Sequence, residues 1–208
     1  SNSASMIVLK EGKTLASYRP SGRGHVQSVT KICTSLAAGL LLREGKLKSI
    51  DAKLGELAPD FAQDPKGVVT LRQLLSHSSG VQDGKDAAGR NLPDFRNAKD
   101  FLGYARRMQM QEPPGTKYRY NNVGILLAAY ALEQVAGEPL ELYLRRNLFE
   151  VLGIRKVDWY RDRTRRIPFF FGMQLSGEDL AKIGQLMLGE GRWEGRELLS
   201  ADWVRTST

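Results

Sequence analysis

Ser28 and Lys31 stand three residues apart at the head of an apolar run, in the order Ser28-Val29-Thr30-Lys31. Residues three apart on a helix share a face, so this spacing brings a hydroxyl within reach of an amine. A serine hydroxyl is a weak nucleophile until a base removes its proton. A free lysine, with a pKa of about 10.4, is protonated at neutral pH; burial or neighbouring positive charge would make it a usable base. A helix start adds N–H groups and the positive end of a dipole, which favour a developing oxyanion. The chemistry implied is acyl transfer through serine without histidine. Alone the pattern is weak. At average composition about one Ser-x-x-Lys arises by chance in a chain of this length, and a capping serine followed by a surface lysine is the plain alternative.

A second group of polar residues lies downstream, in Tyr120-Asn121-Asn122 after Pro114-Gly115-Thr116. A phenol near a cation has its pKa of about 10 depressed, so Tyr120 could share a proton with Lys31 or protonate a leaving group. Asn122 could hydrogen-bond Lys31 or a substrate amide. The plain readings are a loop aromatic for Tyr120 and a helix N-cap for Asn122.

Together these stretches resemble the serine β-lactamase and penicillin-binding-protein superfamily. The Tyr-x-Asn form resembles its class C-like branch, which also holds esterases, D-aminopeptidases and 6-aminohexanoate-dimer hydrolases. His25-Val26-Gln27-Ser28-Val29-Thr30-Lys31 is similar to the nucleophile segment of the 6-aminohexanoate-dimer hydrolase-like group. Leu74-Leu75-Ser76-His77-Ser78-Ser79-Gly80 is similar to the superfamily's Leu-Leu-x-His-Thr-Ser-Gly stretch. Pro114 to Asn122 is similar to its second motif, and Leu180 through Val204 to the helix-turn-helix region beyond it. The resemblance implies an α+β fold of the β-lactamase/transpeptidase type: an antiparallel sheet flanked by helices, plus an all-helical lobe. It implies Ser28 as acylated nucleophile, Lys31 as base or proton shuttle, and Tyr120 as general acid/base. Asn122 becomes a support and substrate contact, the Ser28 N–H half of an oxyanion hole, and His77 a structural residue. The substrate is then a small-molecule ester, amide or β-lactam, and no cofactor is called for.

The resemblance has a gap. The superfamily's third motif, a Lys-Thr-Gly or His-x-Gly triad on a late strand, is absent from the sequence, as is the Ser-Asp-Asn of class A enzymes. The sequence reading therefore expects the C-terminal strands to be missing, with a segment of the protein's own fold as a candidate partner. It divides the chain into residues 1–50 (hairpin and nucleophile helix), 51–170 (helical lobe with Tyr-x-Asn) and 171–208 (return to the α/β lobe). A catalytically idle recognition module or inactive fragment is the alternative to an enzyme.

Bulk properties remove other classes. The 208 residues, 41% hydrophobic and 26% charged, are ordinary for a soluble globular protein with a substantial core. No apolar run is long enough to span a membrane as a helix. The net charge of +8 comes from scattered basic residues. The only dense group, Arg161, Arg163, Arg165 and Arg166, reads as a solvated loop, with no aromatic-interleaved nucleic-acid motif. With two histidines (His25, His77) and one cysteine (Cys33), neither a disulfide framework nor a zinc-type spacing exists. Cys33 reads as a buried small hydrophobe. Ser1 to Ser5 resembles an expression-tag remnant and trimmed start. A removed leader would favour a periplasmic or secreted protein, and otherwise the cytoplasm is expected.

Element signals complete the reading. Met6–Lys10 and Thr14–Arg19 predict a hairpin, Pro20 to Gly24 a loop, and Ser28–Glu44 the strongest helix, stopped by Gly45. Thr70 predicts a cap for a helix to Leu75, and Asp83 to Asp94 a long loop. Helices are expected over Ala98–Met110, Asn122–Val135 and Leu140–Phe149. Ser176 and Ser200 predict caps for two more.

Overall fold

A computed structural model describes residues 5–84, 95 and 98–208. Its architecture is α+β: small antiparallel sheets flanked by helices, beside a lobe built from helices alone. Strands β1 (Met6–Lys10) and β2 (Lys13–Tyr18) form the expected hairpin. Its turn puts Glu11 and Gly12 at positive φ, and a register shift follows Val8. The hairpin pairs with no other strand among the described residues and packs on the helix Gly177–Leu188, leaving Met6, Val8, Leu15 and Tyr18 exposed.

A second sheet, which the sequence reading lacked, positions the nucleophile. Strand β3 (Arg23–His25) falls where a loop was expected, and β4 (Asp158–Trp159) and β5 (Met173–Ser176) carry only two and four residues. Their order is β3-β5-β4, all antiparallel. In central β5, Met173 and Leu175 are buried on one face while the other carries intermediate Gln174 and buried Ser176, so the strand shows no clean alternation.

Helix α1 spans Ile32–Arg43. The predicted helix began at Ser28, but Gln27–Lys31 is a separate 3-10 turn with Gln27 at φ 49°. The tighter winding follows from two anchors in β5: Val26 N–H donates to the Met173 carbonyl (3.0 Å), and Met173 N–H donates to Thr30 Oγ1 (3.2 Å). Buried Thr30 closes the turn by donating to the Gln27 carbonyl at 2.6 Å. From Cys33 to Leu41 nearly every residue of α1 is buried, as its few polar positions foretold. Burial pushes the Cys33 thiol up to about 12, so it stays an inert thiol packed on Met173.

The helical lobe is organised by α5 (Asn122–Ala136), which packs against α1, α2 (Leu54–Leu57), α3 (Leu71–Leu75), α4 (Phe101–Arg107) and α6 (Leu140–Leu144). Its caps are strong at both ends: the Asn121 side chain accepts from Gly124 N–H, and Gly137 stops the helix at φ 72°. Thr70 and Gln73 form a capping box on α3. Helix α4 is shorter than predicted because Asp100 caps it. After α6 the chain passes through a π turn, Arg145–Phe149, instead of continuing as one helix. Ser176 caps α7 (Gly177–Leu188), and Ser200 caps α8 (Ala201–Ser207), with the short hairpin β6 (Arg192–Trp193) and β7 (Arg196–Glu197) between them. Among the described residues no helix is long and apolar enough to cross a membrane.

Two segments distant in sequence lie side by side and lead to the Tyr120 turn. Gln82 exchanges backbone contact with Gln109, Gly80 O accepts from Gln111 N–H, and His77 O accepts from Arg119 N–H. Gly80 sits at φ 73°, and a Cβ there would lie 2.1 Å from the Glu112 carbonyl oxygen. Both the backbone conformation and the space require glycine. Gly80→Ala is therefore expected to destabilise the fold by about 2 kcal/mol or more. That lowers Tm by about 4–8 °C, and a thermal melt against wild type checks it.

Candidate active site

The nucleophile turn, the Tyr120 turn and the entry to β5 converge on one atom, Ser28 Oγ. Lys31 Nζ lies 3.1 Å from it, and the Tyr120 hydroxyl donates to it at 2.9 Å. Both contacts are within the distance that proton transfer needs. Lys31 also donates to the carbonyl oxygen of Phe170 at 2.8 Å, and its ammonium lies 4.8 Å from the centre of the Tyr120 ring. Ser28 was weighed as a capping serine; the 3-10 turn has Val26 at its N-cap position and no side-chain cap. The serine hydroxyl is thus directed at Lys31 and Tyr120 rather than at the backbone.

The Tyr120 ring is held from behind. His77 lies against it, centroids 4.7 Å apart and planes tilted by 36°. His77 Nδ1 lies 3.1 Å from the Asn121 N–H nitrogen and 3.2 Å from the Asn121 carbonyl oxygen, so one backbone unit holds the ring. His77 itself adopts φ 58°, an uncommon conformation for a residue with a side chain. Burial, aided by the nearby Lys31 charge, holds His77 below the usual imidazole range against the opposing contact with Asn121. For Tyr120, burial works to raise the phenol. The hydrogen bonds from Lys31 and Ser28 and the Lys31 charge outweigh it, and the group is held below its ordinary value of 10.0.

The structure separates the two asparagines. Asn121, not Asn122, caps α5; its buried side chain bonds Gly124 N–H and the Val81 carbonyl. Asn122 donates its backbone N–H to Asp83, while Lys31 takes Phe170 O and Ser28 Oγ as acceptors in place of the Asn122 side chain. Three contributors are not legible in the sequence, Thr30, Phe170 through its carbonyl, and Asp83, while His77, expected as a structural residue, supports Tyr120. The run Pro168-Phe169-Phe170-Phe171-Gly172 carried the available signal, since Gly172 (φ 92°) and Phe169 (φ 56°) bend the chain so that the Phe170 carbonyl meets Lys31. Of the basic group, Arg161 and Arg166 pair with Glu141 and Glu133 instead of standing free in solvent. Most of the predicted loop from Asp83 to Asp94 lies outside the described residues.

A cavity of about 550 Å³ adjoins Lys31 and His77, walled by apolar side chains including Ile32, Ile125, Met187 and Trp203. Among the described residues no cluster of three or more His, Cys, Asp or Glu is arranged to hold a metal.

The profile of the Beta-lactamase family matches residues 2–192. The chain belongs to the beta-lactamase family. An Escherichia coli (strain K12) protein named "Putative D-alanyl-D-alanine carboxypeptidase" is 30% identical over 130 residues, covering 58% of this chain and 30% of its own. The lovastatin esterase of Penicillium rubens is 26% identical over 197 residues, covering 80% of this chain and 47% of its own. The structure of a Bacillus anthracis protein named "Putative 6-aminohexanoate-dimer hydrolase" shares the fold at TM-score 0.83 and 18% identity, covering 96% of this chain and 57% of that one. The chain thus spans between 30% and 47% of the length of the two curated relatives.

The neutral, partly buried His77 has a consequence for stability. Above the ordinary value of about 6.5 neither the folded nor the unfolded chain binds the proton, and stability is fully present. As pH falls below about 6.5 the unfolded chain takes up the proton before the native chain does, so stability drops through that window. Melting temperatures measured from pH 8 to pH 5 are expected to fall more steeply for wild type than for His77→Gln.

Proposed function

We propose that this protein is a serine hydrolase that cleaves an ester or amide through an acyl-Ser28 intermediate. The observation that carries the reading is the hydrogen-bonding of one oxygen, Ser28 Oγ, to both Lys31 Nζ and the Tyr120 hydroxyl. Two groups able to exchange a proton flank the only nucleophile at this point. The Lys31–Tyr120 pair removes the Ser28 proton as Oγ forms a bond to the substrate carbonyl carbon. The resulting oxyanion is stabilised by backbone N–H donors, that of Ser28 among them. The bond to the leaving group then breaks, and the pair returns the proton to the departing oxygen or nitrogen, with Tyr120 the closer to solvent. Water repeats the sequence on the acyl-Ser28 ester and releases the acid. The partly buried Asn122 beside this turn serves as a substrate contact.

The substrate class follows from what the relatives are named for: an ester in the lovastatin esterase, and amide bonds in the carboxypeptidase and the 6-aminohexanoate-dimer hydrolase. The apolar cavity beside Lys31 suits an apolar acyl or leaving group, and β-lactams form a third member of the set.

Incubation with a fluorescent fluorophosphonate or penicillin is expected to label Ser28, and p-nitrophenyl esters, D-alanyl amides and nitrocefin rank the substrates. Ser28→Ala is expected to remove labelling while moving Tm by less than about 2 °C, because the hydroxyl caps no helix. Lys31→Ala is expected to slow labelling about 10³-fold or more. Lys31→Ala labelled at the wild-type rate refutes the role of the amine. Labelling without turnover identifies a recognition module instead of a hydrolase.

A further inference from the structure

The start of α5 is held from outside the helix by a carboxylate. Asp83 Oδ2 accepts the Asn122 N–H, and the Val123 N–H is a second donor to the same side chain. The segment that carries Asp83 is itself fixed: Val81 O accepts from Asn121 Nδ2 at 2.6 Å, and Gln82 bonds Gln109 through both its backbone N–H (2.9 Å) and its side-chain oxygen (3.2 Å). Tyr120 lies two residues before the N–H that Asp83 holds. The direction of α5, and with it the position of the phenol over Ser28, therefore rests on this clasp. The carboxylate is also a charge close to the reacting groups. It and the Lys31 ammonium act on one another, and it acts on the Tyr120 phenol. Among the described residues the titratable groups around it are Lys31 from the nucleophile turn, Tyr120 from the turn before α5, and His77 behind Tyr120.

We propose that Asp83 is a positioning residue of the site: it clasps the first N–H groups of α5 to hold Tyr120 on Ser28, and its negative charge sets how readily the Lys31–Tyr120 pair gives up a proton. The inference rests on the hydrolase reading for its meaning in catalysis, but its electrostatic half is measurable without turnover. Burial raises the Asp83 carboxyl above its ordinary value, opposed by the N–H donors and by Lys31. The site therefore sits beside a group whose own charge is lost at the acid end. A nearby negative charge favours the protonated form of a phenol, so removing it lets Tyr120 deprotonate at lower pH.

Two variants separate clasp from charge. Asp83→Asn keeps an oxygen that accepts the Asn122 N–H and loses the charge, whereas Asp83→Ala loses both. The titration of Tyr120, followed by NMR of ring-labelled tyrosine, is expected to move down in Asp83→Asn by about half a pH unit or more, the size expected of a nearby unit charge in partly solvated protein. The acid limb of the Ser28 fluorophosphonate-labelling profile should move the same way. Asp83→Ala is expected to label about tenfold more slowly at every pH, because a displaced Tyr120 loses its alignment, with melting temperatures of both variants recorded to confirm folding. Coincident Tyr120 titrations and labelling profiles in wild type and Asp83→Asn overturn the proposal. Wild-type protein that shows no Ser28 labelling overturns the hydrolase reading instead, and the Tyr120 titration still decides whether Asp83 governs that phenol.

Discussion

The Lys31 ammonium is the point on which the arrangement depends. A cation brought against apolar helix and aromatic surface loses hydration, which is costly unless acceptors replace the water. Lys31 finds two, Ser28 Oγ and the Phe170 carbonyl, and lies against the Tyr120 ring. Ser28 is a neighbour on the same turn, whereas Phe170 and Tyr120 come from distant parts of the chain. Satisfying one charge thus forces the nucleophile turn, the bend before β5 and the Tyr120 turn into a common geometry. Substituting the amine changes what all three segments have to pack against.

Holding that geometry falls to pieces of backbone far apart along the chain. Ser28 and Tyr120 are separated by 92 residues, and Lys31 and Phe170 by 139. The entropy of closing such loops grows slowly with length, so contacts over these spans cost only a little more than shorter ones. What they need is rigid elements at each end. Strand β5 supplies one, clamping Val26 and Thr30 on either side of Ser28. Helix α5 supplies the other, buried along most of its length between five neighbouring helices.

Helices and their ends were readable because each carries its own evidence. Thr70, Ser176 and Ser200 announce their helices through side chains that satisfy N–H groups three residues on, and α5 declares itself by a long apolar period. The pairing of Ser28 with Lys31 was readable because it too is local. The three-stranded sheet was not. Strands of two to four residues are too short to show a period, and β5 shows no clean alternation of burial. The 3-10 turn at Ser28 was missed for a related reason: the apolar pattern of α1 runs back into it, and only the long-range bonds from Met173 wind it more tightly. Backbone carbonyls such as that of Phe170 leave no trace in residue identity, so the second acceptor of Lys31 had to come from the fold.

The three consecutive residues Tyr120, Asn121 and Asn122 illustrate how local chemistry and tertiary context divide the work. All are polar, and the sequence alone does not assign them different environments. At a helix entry the backbone turns from extended to helical between Asn121 (φ −140°) and Asn122, so successive side chains leave in different directions. The middle one points into the lobe, where an amide can satisfy both the Gly124 N–H and the Val81 carbonyl; a shorter or charged side chain would leave one of these unmet. That anchoring frees its two neighbours. Tyr120, half exposed, presents its hydroxyl to Ser28 while its ring is covered by His77. Asn122 contributes its N–H to Asp83. The Tyr120 phenol thus takes its place on Ser28 from the buried Asn121 beside it, whose two side-chain hydrogen bonds fix the entry to α5.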